Sequence, residues 1–284
     1  MLSRFVFVLA ALAGLSISAN SQWVNYPTAG IPRTKDGKVN LFASAPRSNG
    51  KPDLSGVWMV EATPFEEITR LFGDIEKLSV PGDDPRTFSK YFLNLLADFK
   101  PQDAPVRPEA AQIFLQRIRA SAKDHPSTRC LPAGLPQIEL VPAPFKVIQT
   151  AGMIGMVYEG DGTLRQIYLD GRKLPSDPAP LWYGYSVGKW DGDTLVVDSI
   201  GFNDKSWLDA GGHPHSEGLH LTERFRRRDF GHLDEELTVD DPKMYTRPFT
   251  VKVTHVFQAD SDILEAFCTE NEKDWTHMAA QAVK

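Results

Sequence analysis

The sequence predicts a mainly β fold, an antiparallel β-barrel of about ten strands with a helical insertion after the first strand. Alternating apolar and polar runs recur from residue 145 onward, and Asp161-Gly162, Asp191-Gly192 and Asp241-Pro242 supply turn chemistry between neighbours. A single block, residues 64–122, breaks the period of two. Strands joined by hairpins leave exposed sheet edges, and closure into a barrel removes them. A two-sheet sandwich is the other architecture open to such a meander.

The chain begins with Arg4, an apolar run over residues 5–13 and the small residues Ala19-Asn20-Ser21. This is the pattern of a cleavable signal peptide over residues 1–21, with an apolar run too short to stay as a bilayer anchor. The expected location is therefore periplasmic or secreted, with no membrane anchor. Residues 22–52, rich in Pro, Gly, Ser and Asn without a sustained period, read as an extended N-terminal arm. Residues 53–284 read as a single barrel domain.

Strand 56–60 opens that domain. Within the insertion, Phe88, Tyr91, Phe92, Leu95, Leu96 and Phe99 fall on one stripe of a helix. A second helix is expected over 108–120, with Pro108 near its first turn and Ala111, Phe114, Leu115 and Ile118 on the packed side. Both stripes need an apolar partner, so the helices are expected to cover one end or flank of the barrel. The remaining strands are expected over 145–150, 153–159, 163–170, 183–190, 193–200, 219–226, 232–240, 249–258 and 263–270.

The charged residues number 37 Asp plus Glu against 31 Lys plus Arg, a formal net charge of −6. That balance argues against nucleic acid or an anionic membrane as partner. The run Arg226-Arg227-Arg228 is followed by Asp229, Asp234, Glu235 and Glu236, so it reads as a locally neutralised strand end. Cys130 and Cys268 are open to two readings, a disulfide in an oxidising compartment or two free thiols.

The string from Gly184 to Leu233, GYSVGKWDGDTLVVDSIGFNDKSWLDAGGHPHSEGLHLTERFRRRDFGHL, is followed by TVDDPKMYTRPF and CTENEKD. Over roughly residues 129–274 this chain resembles an uncharacterised family of exported bacterial proteins, and the resemblance implies no activity. Separately, Gly56-x-Trp58 resembles the opening of the first strand in lipocalin-like, or calycin, barrels.

Candidate chemistry centres on the segment after the Asp191-Gly192 turn. Period two puts Glu223 on the apolar face of its strand with Leu219, Leu221 and Phe225, and Glu217, His215 and His213 extend the same row. In strand 249–258, His255 shares the face of Phe249, Val251, Val253 and Phe257. His213, His215, Glu217, Glu223 and His255 are accordingly the candidate catalytic residues, as general acid and base. His213, His215 and Glu217 fit a divalent transition metal equally well, because two imidazoles and a carboxylate can converge from one strand. The bland reading stands beside each: turn histidines in the loop, a hydrogen-bonded core histidine at 255, and Glu223 paired with an arginine. Tyr183, Tyr185 and Trp207, with Asp204, are candidates for an aromatic-walled ligand site, or else core and turn residues. No P-loop, dinucleotide fingerprint or HExxH motif occurs. The expected function is an exported enzyme acting on a small, partly apolar organic molecule; the alternative is a non-catalytic carrier of such a molecule.

Overall fold

The computed structural model describes residues 27–73 and 84–268. The expected signal peptide and the start of the arm lie outside those residues. Two short strands, β1 (Arg47–Ser48) and β2 (Lys51–Pro52), pair with each other. Nine more form a closed barrel: β3 (Gly56–Val60), β4 (Phe145–Gln149), β5 (Met153–Tyr158), β6 (Thr163–Tyr168), β7 (Tyr185–Asp191), β8 (Thr194–Ile200), β9 (His220–Arg227), β10 (His232–Asp240) and β11 (Phe249–Phe257). Their order round the barrel is β10-β11-β3-β4-β5-β6-β7-β8-β9.

Every neighbouring pair is antiparallel except β6 and β7. That pair is parallel because the chain between them, with Pro175, Pro178 and Pro180, crosses the barrel without a strand of its own. The β7–β8 hairpin turns through Gly192 at φ +60°, as its Asp-Gly pair requires.

The helical insertion is smaller than the apolar stripe predicts. It contains α1 (Phe65–Phe72), α2 (Lys90–Leu93) and α3 (Pro108–Arg119). The stripe from Phe88 to Phe99 forms only the short α2, because Asn94 takes extended dihedrals and its side chain accepts from the Leu96 amide. Asp209 takes the Leu95 amide at 2.7 Å, replacing a helical bond with a tertiary one. In α3 the inward side is Ala110, Ile113 and Phe114, whereas Leu115 and Ile118 are exposed. The strand expected over 263–270 is irregular through Cys268, where Leu264 donates to the Glu159 carboxylate rather than to a ladder. Residues 269 and 270 lie outside the described residues.

One further helix, α4 (Gln137–Leu140), precedes β4 and covers one end of the barrel beside the 201–218 loop. Gly134 at the entry to α4 approaches Ser206 so closely that an added Cβ would lie 2.5 Å from its side chain. The opposite end is apolar, with Leu54, Met156, Ile167, Leu195, Phe225 and Leu233 among the residues round an internal cavity of about 10 Å³. Trp58 donates its indole N–H to the Leu54 carbonyl there. The Arg227 guanidinium lies over Trp58, Phe230 and Phe257 and donates to the Phe230 carbonyl.

Cys130 and Cys268 form a disulfide across 138 residues, with Cα atoms 5.4 Å apart. Among the described residues no helix is long and apolar enough to cross a membrane.

Candidate functional site

Between the apolar end and the α4 cap, the barrel interior holds ionisable groups from six elements. β6 contributes Arg165, β9 Glu223, β10 Glu235, β11 His255, β5 Tyr158 and α4 Glu139, all buried to 2% exposure or less. Period two explains the strand residues. Arg165 shares its face with Ile167, and Glu235 stands between Leu233 and Leu237 on the inward face of β10.

Arg165 is the hub. Its guanidinium grips both oxygens of Glu223, one contact being 2.7 Å, and reaches Glu139 Oε1 at 2.9 Å and Ser199 Oγ at 3.0 Å. Ser199 in turn shares a hydrogen bond of 2.8 Å with Ser186. The Tyr158 hydroxyl donates to the same Glu139 oxygen. His255 Nε2 meets Glu235 Oε2 at 2.7 Å, with the Phe145 ring edge-on to the imidazole. Three groups remain incomplete: Glu139 Oε2, Glu235 Oε1 and His255 Nδ1 are buried without a hydrogen-bond partner among the described residues.

Three carboxylates face one guanidinium, so they cannot all ionise without a large electrostatic penalty. Burial, then the charge of Glu223, pushes the Glu139 carboxyl up to about 8. The same two causes hold Glu235 well above the carboxylate range. Burial drives His255 the opposite way, down to about 4. Near pH 7 Glu139 and Glu235 thus keep their protons while His255 is neutral. A protonated carboxyl can donate and a neutral imidazole can accept, so the layer holds an acid and a base together.

The sequence-predicted residues divide between this layer and its cap. Glu223 and His255 belong to the layer, Glu223 with the arginine partner open to it from the sequence. His213 and His215 are buried in the loop, but each is held locally. His213 Nδ1 meets Asp209 Oδ2 at 2.6 Å, and its ring stacks on Phe114. His215 Nε2 meets Ser206 Oγ at 2.7 Å, while its Nδ1 meets the Ser216 carbonyl. Glu217 is exposed. The period-two row fails here because β9 begins only at His220 and Pro214 has no N–H for a ladder, so residues two apart need not point together. Among the described residues, the metal-type set with ligand atoms within 4.8 Å of one another is Glu139, Glu223 and Glu235, not His213, His215 and Glu217.

The four ligand-site candidates do not share a wall. Tyr183 is buried, stacked on Tyr158 with its hydroxyl donated to Asp161. Tyr185 is partly exposed and takes a hydrogen bond from Arg172. Trp207 is buried between the Arg117 guanidinium and the His125 ring. Asp204 is exposed. A cavity at the His213–Glu217 segment is expected from the sequence, but those residues line neither the internal cavity nor a groove of about 380 Å³ between α1, α2 and the barrel, where Glu67, Lys90, Tyr91 and Lys252 stand.

Sequence reasoning passes over four members of the layer. The alternation that singles out Glu223 marks Arg165 and Glu235 equally well. Tyr158 reads as an ordinary inward aromatic, and a four-residue helix carries no periodic signal for Glu139. Comparison with protein-family models and with curated proteins gives no match to this chain.

Proposed function

We propose that this protein is an exported enzyme acting on a small, partly apolar organic molecule by acid–base chemistry inside the barrel. The observation that carries the reading is that Glu139 and His255 lie in one buried layer with their titration displaced in opposite directions, Glu139 up to about 8 and His255 down to about 4. Glu139 serves as the proton donor and the neutral His255, paired with Glu235, as the acceptor. Arg165 holds Glu223 and the inner oxygen of Glu139 in place. Met156 adjoins the layer, 3.8 Å from the Tyr158 hydroxyl, and continues into the apolar end, which suits a molecule with one polar and one apolar part.

Export is supported by the N-terminal pattern and by the Cys130–Cys268 bond, a linkage at home in oxidising compartments. The carrier reading leaves the convergent ionisable groups without a role, while the internal cavity of about 10 Å³, far below the several hundred Å³ of a ligand pocket, separates neither reading from the other.

The test is to incubate the purified protein with a panel of small esters, ketones and hydroxy acids between pH 5 and pH 9, reading products by mass spectrometry. The native protein is expected to convert at least one compound, and folded Glu139→Gln protein to lose roughly a hundredfold or more in rate. A native rate in that variant removes Glu139 as the acid and the reading with it.

A further inference from the structure

We infer that Glu139, Glu223 and Glu235 bind one oxygen-seeking divalent cation in the barrel interior. This deepens the reading of that interior as the functional site and rests on it, though not on the identity of any substrate.

The first observation is geometric. One carboxylate oxygen from each residue lies within 4.8 Å of the other two, and all three residues are buried. Oxygen ligands about 2.1–2.6 Å from one ion stand up to about 4–5 Å apart, so the three fit a single coordination shell.

The second observation concerns unmet bonding capacity. Glu139 Oε2 and Glu235 Oε1 are fully buried and have no hydrogen-bond partner among the described residues. A lone buried acceptor is costly, and native interiors seldom leave one unexplained. Here two occur on members of the same triad. Glu223 uses each oxygen once, toward Arg165. A carboxylate accepts about four hydrogen bonds or ligand bonds in all, so lone pairs remain on it as well.

Charge leads to the same class of ligand. Once a cation displaces the protons of Glu139 and Glu235, the three carboxylates and the Arg165 guanidinium sum to two negative charges, which one divalent cation neutralises. With Arg165 bound to Glu139 Oε1 and to Glu223, the guanidinium occupies one flank of the triad and orients two of its members. His255 orients the third, through the 2.7 Å contact at Glu235 Oε2 that leaves Oε1 for the ion. Carboxylates supported by such outer partners are the usual form of a built metal site. An all-oxygen donor set selects Ca²⁺ or Mn²⁺ over the softer Zn²⁺ and Cu²⁺. The site is separate from the His213, His215 and Glu217 set, whose two imidazoles are committed to Asp209, Ser206 and Ser216.

The test uses the full chain refolded in chelator with its disulfide intact, then titrated with Mn²⁺ or Ca²⁺ alone. Expected are one Mn²⁺ per chain by paramagnetic resonance, displacement of that Mn²⁺ by Ca²⁺, and a melting temperature raised by about 5–10 °C at a hundredfold excess over Kd. Glu139→Gln and Glu235→Gln should each lower affinity at least tenfold. Glu236→Gln, at an exposed carboxylate paired with Lys252, should bind as the native chain does. Absence of stoichiometric binding by the native chain overturns the inference, as does unchanged affinity in both triad variants. Turnover is not read here, so absence of binding leaves the acid–base reading to its own experiment, whereas a bound ion keeps Glu139 ionised and confines its proton donation to the cation-free chain.

Discussion

Glu139 and His255 make opposite contributions to stability as pH changes. The His255 imidazole titrates near 4 when folded against 6.5 when free, so the unfolded chain binds the extra proton and stability falls as pH drops through that window. Glu139 is raised from 4.5 to about 8, so the folded chain holds its proton longer and stability falls as pH rises from 4.5 to 8. Between about pH 4.5 and 6.5 the slopes of His255 and Glu139 offset each other; above that, Glu139 acts in the same direction as Glu235, whose carboxyl is also raised by burial. Glu139 accounts for about 2 kcal/mol of the stability that metal-free native protein loses between pH 6.5 and pH 8, and Glu139→Gln is expected to lose less by about that amount. Urea unfolding at a series of pH values in chelator checks this, and an equal loss in the variant contradicts it. The same residues show how much of the site was legible. Glu223 and His255 could be placed inside because each sits within a regular strand, where alternation is a geometric rule. His213, His215 and Glu217 were misplaced by carrying that rule past the end of β9 into a segment ordered by local hydrogen bonds.

Elements with a period of two were far more legible than the short helices. β3 and β10 coincide with the predicted runs, and the other barrel strands begin or end within two residues of theirs, because burial of one face leaves its imprint on every second residue. The stripe from Phe88 to Phe99 has helical spacing, yet tertiary bonds to Asp209 and the Asn94 cap overrule it. Within β3, the glycine of Gly56-x-Trp58 has a reason that alternation alone does not supply. Its φ is +137°, and a Cβ there would stand 2.3 Å from Phe257 Cε2. Gly56→Ala therefore strains the backbone and displaces the ring that packs edge-on against Trp58. A loss of roughly 2–3 kcal/mol is expected by denaturant titration, with a changed tryptophan emission. Stability within about 0.5 kcal/mol of native would show that the ring relocates freely.

For the whole molecule, the disulfide is the widest constraint. Closing 138 residues stabilises by about 4–5 kcal/mol through the lost entropy of the unfolded chain. Reduction, or replacement of both cysteines by serine, is expected to lower unfolding free energy by a comparable amount. A difference below about 1 kcal/mol would mean that the unfolded chain already keeps the two segments together. The sequence left this pair open because pairing depends on where the chain returns in space, and no local pattern records that.

β3 occupies a distinctive place in that ring. Eight of the nine barrel strands, β4 to β11, lie between Cys130 and Cys268, whereas β3 comes from outside and fits between β4 and β11. Its ladders are short, three register pairs to each neighbour. The barrel is thus an eight-strand covalent loop with one slot, completed by a strand that the chain donates to itself. Removing β3 would leave the covalent loop closed but the barrel open, with two facing, unsatisfied edges on β4 and β11.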